Sequence, residues 1–298
     1  MTAVVIPLSK GMVALVSPED RERVAARKWC VMSSSRDRFY AQANMKIDGI
    51  WKRVMMHRFI LSPEKGTTVD HIDGNGLNNQ RSNLRLATLS QNTHNAGAKK
   101  VGRGATSAYK GVDWNKGMKA WSSEILVAGS GHNLGYFQSE ERAAKAYDLA
   151  CLLLCGEFAR PNFPGAVASP LPSDGTPMKV AVVGSRKGMD ILHVEESVRE
   201  SGFRVEEVLH PSMFGTERIP QAWARLRGIP ARSFFQPGDR RSREKPLAGY
   251  QAMIASSDAL VAVWDGSSRS QSLAIGLARA KGIPVHVKRI KGGGDEEA

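Results

Sequence analysis

The chain has 298 residues, of which 42% are hydrophobic and 24% charged, and its formal net charge at pH 7 is +13. This length predicts two or three folded domains, and the positive charge favours a polyanionic partner. No apolar run is long enough to span a membrane and no signal peptide is evident, so we expect a cytoplasmic protein without membrane contact. The three cysteines cannot form a disulfide scaffold, and without a paired-cysteine motif we expect no zinc site.

Residues 1–60 alternate short strand-like runs with polar turns. The runs VALVS (13–17), RFYAQAN (38–44) and WKRVMMHRFIL (51–61) predict β-strands. A short helix is predicted over 18–28. We expect residues 1–56 to form a small β-rich module that packs beside the following segment and has a structural task.

The densest group of His, Asp and Asn side chains lies in residues 67–98. Asp70 and His71 stand at the end of one predicted strand, Asn83 on the return strand and Asn92 on a following helix, for which Ser90 is the expected N-cap. The loop DGNGLNNQ between the strands is rich in turn formers, so the strands are expected to pair as a hairpin. Such a set can hold a hard cation through oxygen and ready a neutral imidazole to deprotonate water, as phosphodiester hydrolysis requires.

These residues resemble the HNH superfamily, the ββα-metal fold, close to its phage intron-homing branch. The spacings of Asn83 and Asn92 from Asp70 fit that branch. The resemblance implies a nuclease over 57–99 in which His71 is the general base and Asn83 orients its ring. It also implies that Asp70 and Asn92 hold one Mg²⁺ or Mn²⁺ ion against the scissile phosphate.

Other residues of this segment allow alternative interpretations. His94 competes with Asn92 for the metal position, but residues two apart on a helix point in different directions, and a hard cation favours oxygen. Asn95 shares the face of Asn92 and is a candidate contact to a DNA phosphate. A calcium loop starting at Asp73 is excluded because its twelfth position is not acidic. His57, in the sequence MHRF, fits a structural role and a functional role equally well.

The segment after the nuclease predicts a second module. Residues 97–107 form a basic, Gly-rich linker. Residues 108–137 predict three short strands, and Ser139 begins a helix that ends at Gly156. The stretches that carry the next resemblance are, in chain order, YKGV (109–112), Trp114, Trp121, EI (124–125), LGYF (134–137), AA (143–144), AYD (146–148) and NFP (162–164). They resemble the apetala-type, ethylene-response-factor-like DNA-binding domain over 107–163.

This second resemblance implies a three-stranded sheet, backed by one helix, that enters the major groove of double-stranded DNA. The side chains expected to contact DNA are Lys110, Trp114, Lys116, Lys119, Trp121, Glu124 and Tyr136. Plant members carry an Arg-rich first strand where this chain has Asp-Trp-Asn at 113–115. Direct reading of guanine by Arg is therefore not expected, and the sequence does not define the target.

A Pro/Gly/Ser-rich linker at 164–177 marks the clearest domain boundary. After it, KVAVVG, ALVAVW and IPVHV are runs typical of buried parallel strands, and they alternate with helical segments. We expect a Rossmann-like α/β domain over 178–290 and a disordered tail at 291–298.

Two turns of this domain, GSR at 184–186 and WDGS at 264–267, follow predicted strands. They lie at the carboxyl ends of those strands, where α/β sheets bind phosphates. Together with the stretches AWA (222–224) and GIP (228–230), these turns resemble the YspA-like branch of the SLOG nucleotide-binding superfamily. The resemblance implies a nucleotide-derived ligand at Gly184, Ser185, Arg186, Asp265, Gly266 and Ser267.

The chain departs from the SLOG pattern at two places. Pro211 and Ser212 replace the family's paired glycines, and proline has no N–H to offer a phosphate. Ser270 and Gln271 replace a later Gly-Thr. These departures favour a sensor or a structural arm over a nucleotide-processing enzyme.

The sequence as a whole predicts a multidomain protein with α+β and α/β parts. Its predicted function is metal-dependent DNA nicking at a site chosen by the attached DNA-binding module, with modulation by a nucleotide at the SLOG domain. The alternatives are a DNA-binding regulator with a retired nuclease and a nucleotide-sensing SLOG domain, and a nucleotide-processing enzyme. The chain keeps all four residues of the HNH pattern DH…N…N, namely Asp70, His71, Asn83 and Asn92, and this favours the nuclease. The oligomeric state does not follow from the sequence.

Overall fold

The structure is a computed structural model that describes residues 2–35, 38–95, 106–185, 189–211, 219–234 and 245–290. None of its helices within those ranges has the length and apolar character needed to cross a membrane. Contacts divide the chain into two compact units, Met1–Gly97 with Glu157–Arg160, and Ala98–Gly156 with Pro161–Ala298. The expectations for Arg186, Ser212, the tail at 291–298 and most of the linker at 97–107 lie outside the described residues.

The first unit consists of short strands in small sheets and three short helices. Its strands β1 to β8 are Val4–Pro7, Val13–Val16, Cys30–Ser35, Arg38–Ile47, Ile50–Met55, Thr68–His71, Asn78–Asn79 and Leu84–Ala87. Its helices α1 to α3 are Arg21–Ala25, Met56–Leu61 and Leu89–His94. The sheets have the orders β1-β2-β7, β3-β4-β5 and β6-β8.

The chain folds differently from the prediction after Met55. The run WKRVMMHRFIL was expected to be one strand, but β5 ends at Met55 and helix α2 follows. Met56 and Ile60 explain the change, because residues four apart share one helix face and both are buried in the core. This turn of helix carries His57 and Arg58.

Strands β6 and β8 form the predicted antiparallel hairpin, with His71 opposite Leu84. Helix α3 follows, but its N-cap is Thr88 and not Ser90. The Thr88 hydroxyl accepts from the Gln91 N–H at 3.2 Å, and the Gln91 side chain accepts from the Thr88 N–H at 2.8 Å. This reciprocal capping box satisfies two donors at the helix start, and Ser90 lies inside the helix.

A single hydrophobic core joins the N-terminal strands to the hairpin of β6 and β8. Val16, Trp29 and Met56 belong to it together with Val69 and Leu84 of the hairpin. The expected boundary between residues 56 and 57 therefore falls inside one packed unit. A buried carboxylate adds a polar tie, because Asp20 accepts hydrogen bonds from the guanidinium groups of both Arg23 and Arg81.

The second unit begins with the three strands and the helix that the sequence predicted. The strands β9 to β11 are Val112–Asn115, Ala120–Val127 and Ser130–Phe137, and α4 is Glu140–Cys155. The sheet order is β11-β10-β9. The Ser139 hydroxyl accepts from the Arg142 N–H at 3.3 Å, and Gly156 follows the last turn with φ +52°.

The rest of the second unit is a five-stranded sheet in which all pairs are parallel, in the order β14-β13-β12-β15-β16. The strands β12 to β16 are Met178–Gly184, Val205–His210, Ala231–Ser233, Ala259–Trp264 and Val285–Arg289. The helices α5 to α8 are Ile191–Ser201, Ile219–Arg227, Lys245–Ala255 and Arg269–Lys281. Residues 180–184 of β12 and 259–263 of β15 are buried, as parallel strands covered by helices on both faces require.

Polar contacts tie the three-stranded module to this sheet domain within the second unit. Arg142 of α4 donates to both carboxylate oxygens of Asp190, at 2.5 and 3.0 Å. The segment expected to be a linker is also held, because the Ser169 and Gly175 carbonyls accept from Arg227 and Arg204.

Candidate nuclease site and DNA-binding residues

A cleft of about 480 Å³ opens on the first unit. Its walls include β4, the end of β5, α2, β6 and α3. The residues that matter to its chemistry are Tyr40, His57, Arg58, Asp70, His71, Asn92, Asn95 and Arg160. Three of the four residues expected at the metal and the attacking water therefore line one cleft, and Asn83 does not.

Asp70 is only 4% exposed, and its carboxylate is held by two neighbours. Arg85 lies directly opposite it on β8 and donates from Nε at 2.9 Å. Asn95 donates from Nδ2 to both carboxylate oxygens, at 3.0 and 3.1 Å, and to the His71 carbonyl at 2.7 Å. Asn95 was expected to reach a DNA phosphate, but these bonds occupy its side-chain nitrogen, so it positions Asp70.

Residues Glu157–Arg160, which we call the strap, pack against this pair of positioning residues. The Arg85 guanidinium lies 3.9 Å from the centroid of the buried Phe158 ring and donates to the Glu157 carbonyl at 2.5 Å. Arg160 donates to the Asn95 carbonyl at 3.1 Å. Arg160 is exposed and lines the cleft, so the strap brings a cation to a site otherwise lined by residues between Met32 and Asn95.

The His71 ring lies among polar and aromatic groups at the base of the cleft. Its Nε2 lies 3.4 Å from the Asn79 Oδ1, and its ring centroid is 5.0 Å from that of His57 and 5.9 Å from that of Tyr40. Burial lowers the pKa of His71 below its ordinary value, although the Asn79 bond and the charges of Asp73 and Asp70 act in the opposite direction. The imidazole is therefore neutral near pH 7, as a general base must be.

Asn83 has a different task from the one expected. It was expected to bond the His71 ring, but its side chain donates to the Asp73 carboxylate at 2.9 Å and the Asn78 carbonyl at 2.8 Å. It also accepts from the Asp73 N–H at 3.0 Å. These bonds close the loop between β6 and β8. The loop carries Asn79, fully buried, which takes the place beside His71 that the sequence interpretation gave to Asn83.

Of the other two histidines of this region, His94 is buried and His57 is half-buried. Burial, together with the nearby His71 and Arg58, lowers the pKa of His57 to about 3. His57 therefore stays neutral and adds no charge beside His71. His94 lies 3.4 Å from the Ser90 hydroxyl and is not part of the cleft wall, whereas Asn92 is.

The donors in the cleft suit a hard divalent cation. Asp70 offers carboxylate oxygens, and Oδ1 accepts only from Asn95 among the described residues, which leaves lone pairs free. The Asn92 side chain is half-buried and makes no hydrogen bond to the described part of the chain. One carboxylate and one amide oxygen match the way Mg²⁺ is bound, through few protein ligands with water and substrate phosphate completing the shell. In the described ranges, no three His, Cys, Asp or Glu side chains form a metal cluster.

The predicted DNA contacts of the second unit do not share one face. Trp114 stands opposite Trp121, which stands opposite Phe137, so these rings lie on one side of the sheet, and the two indoles are 5.2 Å apart. Tyr136 is opposite Ser122 and lies on the other side. Both Trp114 and Tyr136 are about 40% exposed.

The charged residues of this module also divide into two groups. Lys116 and Lys119 are exposed in the turn between β9 and β10, and Glu124 is exposed on β10. Lys110 is half-buried, and its ammonium lies 5.8 Å from the centroid of the Tyr147 ring. This contact directs Lys110 toward α4, in contrast to the expected phosphate contact.

The expected nucleotide-binding turns bond to each other. The Ser185 N–H donates to the Val263 carbonyl at 2.9 Å, and its hydroxyl accepts from the Asp265 N–H at 3.0 Å. Asp265 in turn accepts from the N–H groups of Ser267 and Ser268, each at 2.9 Å. The N–H groups of Ser185, Asp265, Ser267 and Ser268 are thus used within the protein.

Two side chains close the same edge of the sheet. The buried Gln271 amide donates to the Gly184 carbonyl at 2.7 Å. The Met189 sulfur lies 1.7 Å from the position that a Cβ on Gly184 would take, so methionine fills the space beside this glycine. Gly266 has φ +86°, which the tight turn before α8 requires.

Two residues that hold the site were missed in the sequence, and both had a partial signal. Arg85 follows from the hairpin register, since it is the cross-strand partner of Asp70. Asn79 is one of two neighbouring asparagines in the loop, and only the path of the loop shows which one reaches His71. The strap had no signal, because its contacts join residues far apart in sequence.

Comparisons with known proteins agree with the nuclease geometry. A family model described as HNH endonuclease matches residues 62–94. The uncharacterized HNH endonuclease L560 of Acanthamoeba polyphaga mimivirus is 33% identical over 159 residues, which are 51% of this chain and 76% of that protein. Protein 3.8 of Escherichia phage T7 is 41% identical over 96 residues, 32% of this chain and 76% of that protein.

A different relative matches the DNA-binding resemblance. The ethylene-responsive transcription factor ERF024 of Arabidopsis thaliana is 38% identical over 87 residues, 28% of this chain and 47% of that protein. No solved structure matches the chain. With the DH…N…N residues inside the matched nuclease segment and most of a viral HNH protein covered, the chain belongs to the HNH endonuclease family.

Proposed function

We propose that the chain is a divalent-metal-dependent DNA endonuclease that nicks one strand. In this proposal residues 57–99 are the ββα-metal nuclease, and residues 107–163 are an apetala-type module that selects the site. The observation that carries it is the cleft in which Asp70, Asn92 and a neutral His71 meet. One such site per chain predicts a nick as the first product.

The role of His71 follows from its hydrogen bond. An imidazole that donates from Nε2 to the side-chain Oδ1 of Asn79 has its lone pair on Nδ1. Nδ1 is then the atom that takes the proton from the attacking water. Asn83 and Asn79 act through His71 by fixing the loop beside its ring.

Asp70 and Asn92 would hold the ion, which supplies positive charge to the scissile phosphate and the leaving oxygen. Arg85 and Asn95 keep the Asp70 carboxylate in place on the cleft wall. Arg160 lies in the same wall and is exposed, so we assign it the contact with a phosphate of the bound strand. Its fixed fork of donors suits that task.

Plasmid nicking tests the proposed function. Supercoiled plasmid incubated with the full chain is expected to give open circles with Mg²⁺ or Mn²⁺ and none with EDTA. Linear DNA should appear only after the open circles, since each visit cuts one strand. Intact supercoiled plasmid under every metal, with DNA bound, would favour the alternative of a DNA-binding regulator with a retired nuclease.

For DNA binding by the second unit, the exposed lysines of the β9–β10 turn are the strongest candidates. Lys116 and Lys119 carry exposed positive charge that can meet phosphates. The Trp114–Trp121 pair and Tyr136 lie on opposite sides of the sheet. If one side of the sheet faces a DNA groove, the aromatic residues of the other side face away from that groove. Trp114→Ala and Tyr136→Ala are therefore expected to differ in their effect on DNA affinity.

The C-terminal domain at 178–290 is proposed to be a Rossmann-like domain of the SLOG superfamily, joined through the segment 164–177. Its parallel sheet and the turns at Ser185 and Asp265 support the assignment. A nucleotide ligand stays a prediction, and the internal bonds of those turns favour a structural arm. Thermal unfolding with AMP and with ADP-ribose tests it: no change in Tm supports the arm, and a concentration-dependent rise supports the nucleotide.

A further inference from the structure

The hairpin of β4 and β5 ends in an exposed apolar tip. The turn residues Asp48 and Gly49 both have positive φ, as a tight two-residue hairpin turn requires. Around them Ile47 is 39% exposed, Ile50 62% and Trp51 70%. Single exposed apolar side chains are ordinary, but three together at a projecting end indicate a surface that meets a partner.

Positive charge surrounds Trp51 on its own face of the hairpin. Lys46 is directly opposite Trp51, and Arg53 follows two residues later on the same face. Both are exposed. An aromatic ring between two cations matches a nucleic acid, which presents base or sugar surface between phosphates.

The single carboxylate of the tip is weakly engaged. Asp48 lies 4.0 Å from Lys52, and both side chains are strongly exposed, so this pair offsets little of the positive field. Lys52 lies on the same face as Ile47 and Ile50. Both faces of the tip therefore combine apolar surface with a cation, which disfavours a cationic protein partner.

The same strands reach the nuclease cleft at their other ends. Tyr40 of β4 and Met55 at the end of β5 line the cleft, and His57 and Arg58 follow on α2. Trp51 is four residues before Met55, about 13 Å along an extended strand. That length corresponds to about four base pairs of duplex, at 3.4 Å each.

We propose that the tip of this hairpin, Lys46–Arg53, is a further DNA-binding site that contacts duplex DNA about four base pairs to one side of the nick. The location relative to the nick rests on the proposed function, whereas DNA binding by the tip does not. A two-stranded ribbon has the width that a DNA groove admits.

DNA binding by the tip is tested without cleavage, by fluorescence anisotropy of a mixed-sequence duplex in EDTA over a range of salt. Trp51→Ala is expected to weaken binding about tenfold without changing the salt dependence, since stacking is not ionic. Lys46→Gln is expected to reduce the steepness with which the logarithm of the DNA association constant falls with the logarithm of the salt concentration. The expected reduction in this slope is about 0.9, because one phosphate contact releases about one counterion.

Matched controls come from the same unit. Val5→Ala removes an exposed apolar side chain, 57% exposed on β1, and Lys28→Gln removes an exposed cation, so both should bind as the wild type does. Binding by Trp51→Ala and Lys46→Gln within twofold of the wild type, with equal slopes, overturns the proposal. A shift in sedimentation of Trp51→Ala with unchanged DNA affinity also overturns it, because the tip then meets another protein.

The position relative to the nick is tested with shortened duplexes once the nick has been mapped on plasmid. The wild type should lose nicking efficiency when fewer than about four base pairs remain on one side of the nick, and Trp51→Ala should not respond to that shortening. At saturating DNA the two proteins should nick at the same rate. Equal responses to shortening contradict the placement. If the wild type nicks nothing, the proposed function fails, while the anisotropy result still decides the role of the tip.

Discussion

At the scale of single residues, the site depends on groups that hold the side chains to which we assign the chemistry. Asp70 is fixed from two sides, by Arg85 across the hairpin and by Asn95 after helix α3. Asp70, His71 and Asn92 could be chosen from the sequence because their spacing matches a known pattern. Arg85 and Asn79 could not, since their roles depend on strand register and on the path of a loop.

Arg85→Ala is expected to lower the free energy of unfolding by about 3 kcal/mol, because it leaves the Asp70 carboxylate buried without its cation. The side chains of Arg85 and Asp70 are only 12% and 5% exposed, so solvent screens the pair little. Urea denaturation measures the effect. Adding Asp70→Asn should recover part of the loss, and an equal or larger loss in the double variant would contradict the pairing.

Arg160→Ala tests the cation that the strap brings to the cleft. Nicking efficiency is expected to fall about tenfold. The slope of the logarithm of the DNA association constant against the logarithm of the salt concentration is expected to fall in magnitude by about 0.9, because one phosphate contact is lost. Arg160→Lys should keep the slope and recover part of the rate. Arg279→Ala on α8 is the matched control. An unchanged slope in Arg160→Ala would mean that the guanidinium only supports Asn95.

At the scale of elements, helix α3 shows how local chemistry decides between two acceptable caps. Thr88 and Ser90 are both good N-cap residues, and the sequence interpretation chose Ser90. Gln91 stands three residues after Thr88 and completes a capping box, whereas no such partner follows Ser90 at that spacing. The change from strand to helix at Met56 was missed for a similar reason, since a short apolar run does not distinguish the two structures.

Thr88→Ala is expected to cost about 1 kcal/mol of stability, because the Gln91 N–H at the start of α3 loses the Thr88 hydroxyl as its partner. Thr88→Ser should keep most of that stability. Chemical denaturation of the three proteins gives the comparison. Because α3 carries Asn92, the temperature at which half of the nicking activity is lost should also be lower in Thr88→Ala. Equal stability of Thr88→Ala and the wild type would contradict the capping box.

At the scale of the whole molecule, the order of modules along the chain was readable from composition, but their grouping was not. The Pro/Gly/Ser-rich segment 164–177 suggested a free linker, yet its carbonyls bond to arginines of the C-terminal domain. The strap follows α4 in sequence but packs in the first unit. Long-range packing of this kind leaves no periodic pattern in a sequence.

The Arg142–Asp190 pair is a polar tie between the three-stranded module and the parallel sheet domain. Burial raises the pKa of Asp190, but hydrogen bonds from His193 and Arg142 outweigh it, so the net pKa is below the ordinary value. A carboxylate with a lowered pKa stabilises the fold above its unfolded pKa of about 4, and that stability is lost as the pH falls through the lower folded value.

Asp190→Asn is therefore expected to cost about 2 kcal/mol at pH 7, since asparagine keeps the N-cap of α5 but loses the ion pair. The difference from the wild type should shrink as the pH falls below about 4. Denaturation midpoints measured across pH give the test. A difference that stays constant down to pH 3 would mean that the charge of Asp190 does not contribute.

The central claim is that His71 activates water in the cleft, and single-turnover nicking of plasmid by His71→Ala tests it most directly. The rate with Mg²⁺ is expected to fall at least about a hundredfold, with DNA affinity unchanged, because only the proton acceptor is removed. His286→Ala, in the C-terminal sheet, should nick as the wild type does. Nicking by His71→Ala within a few-fold of the wild type would contradict the account.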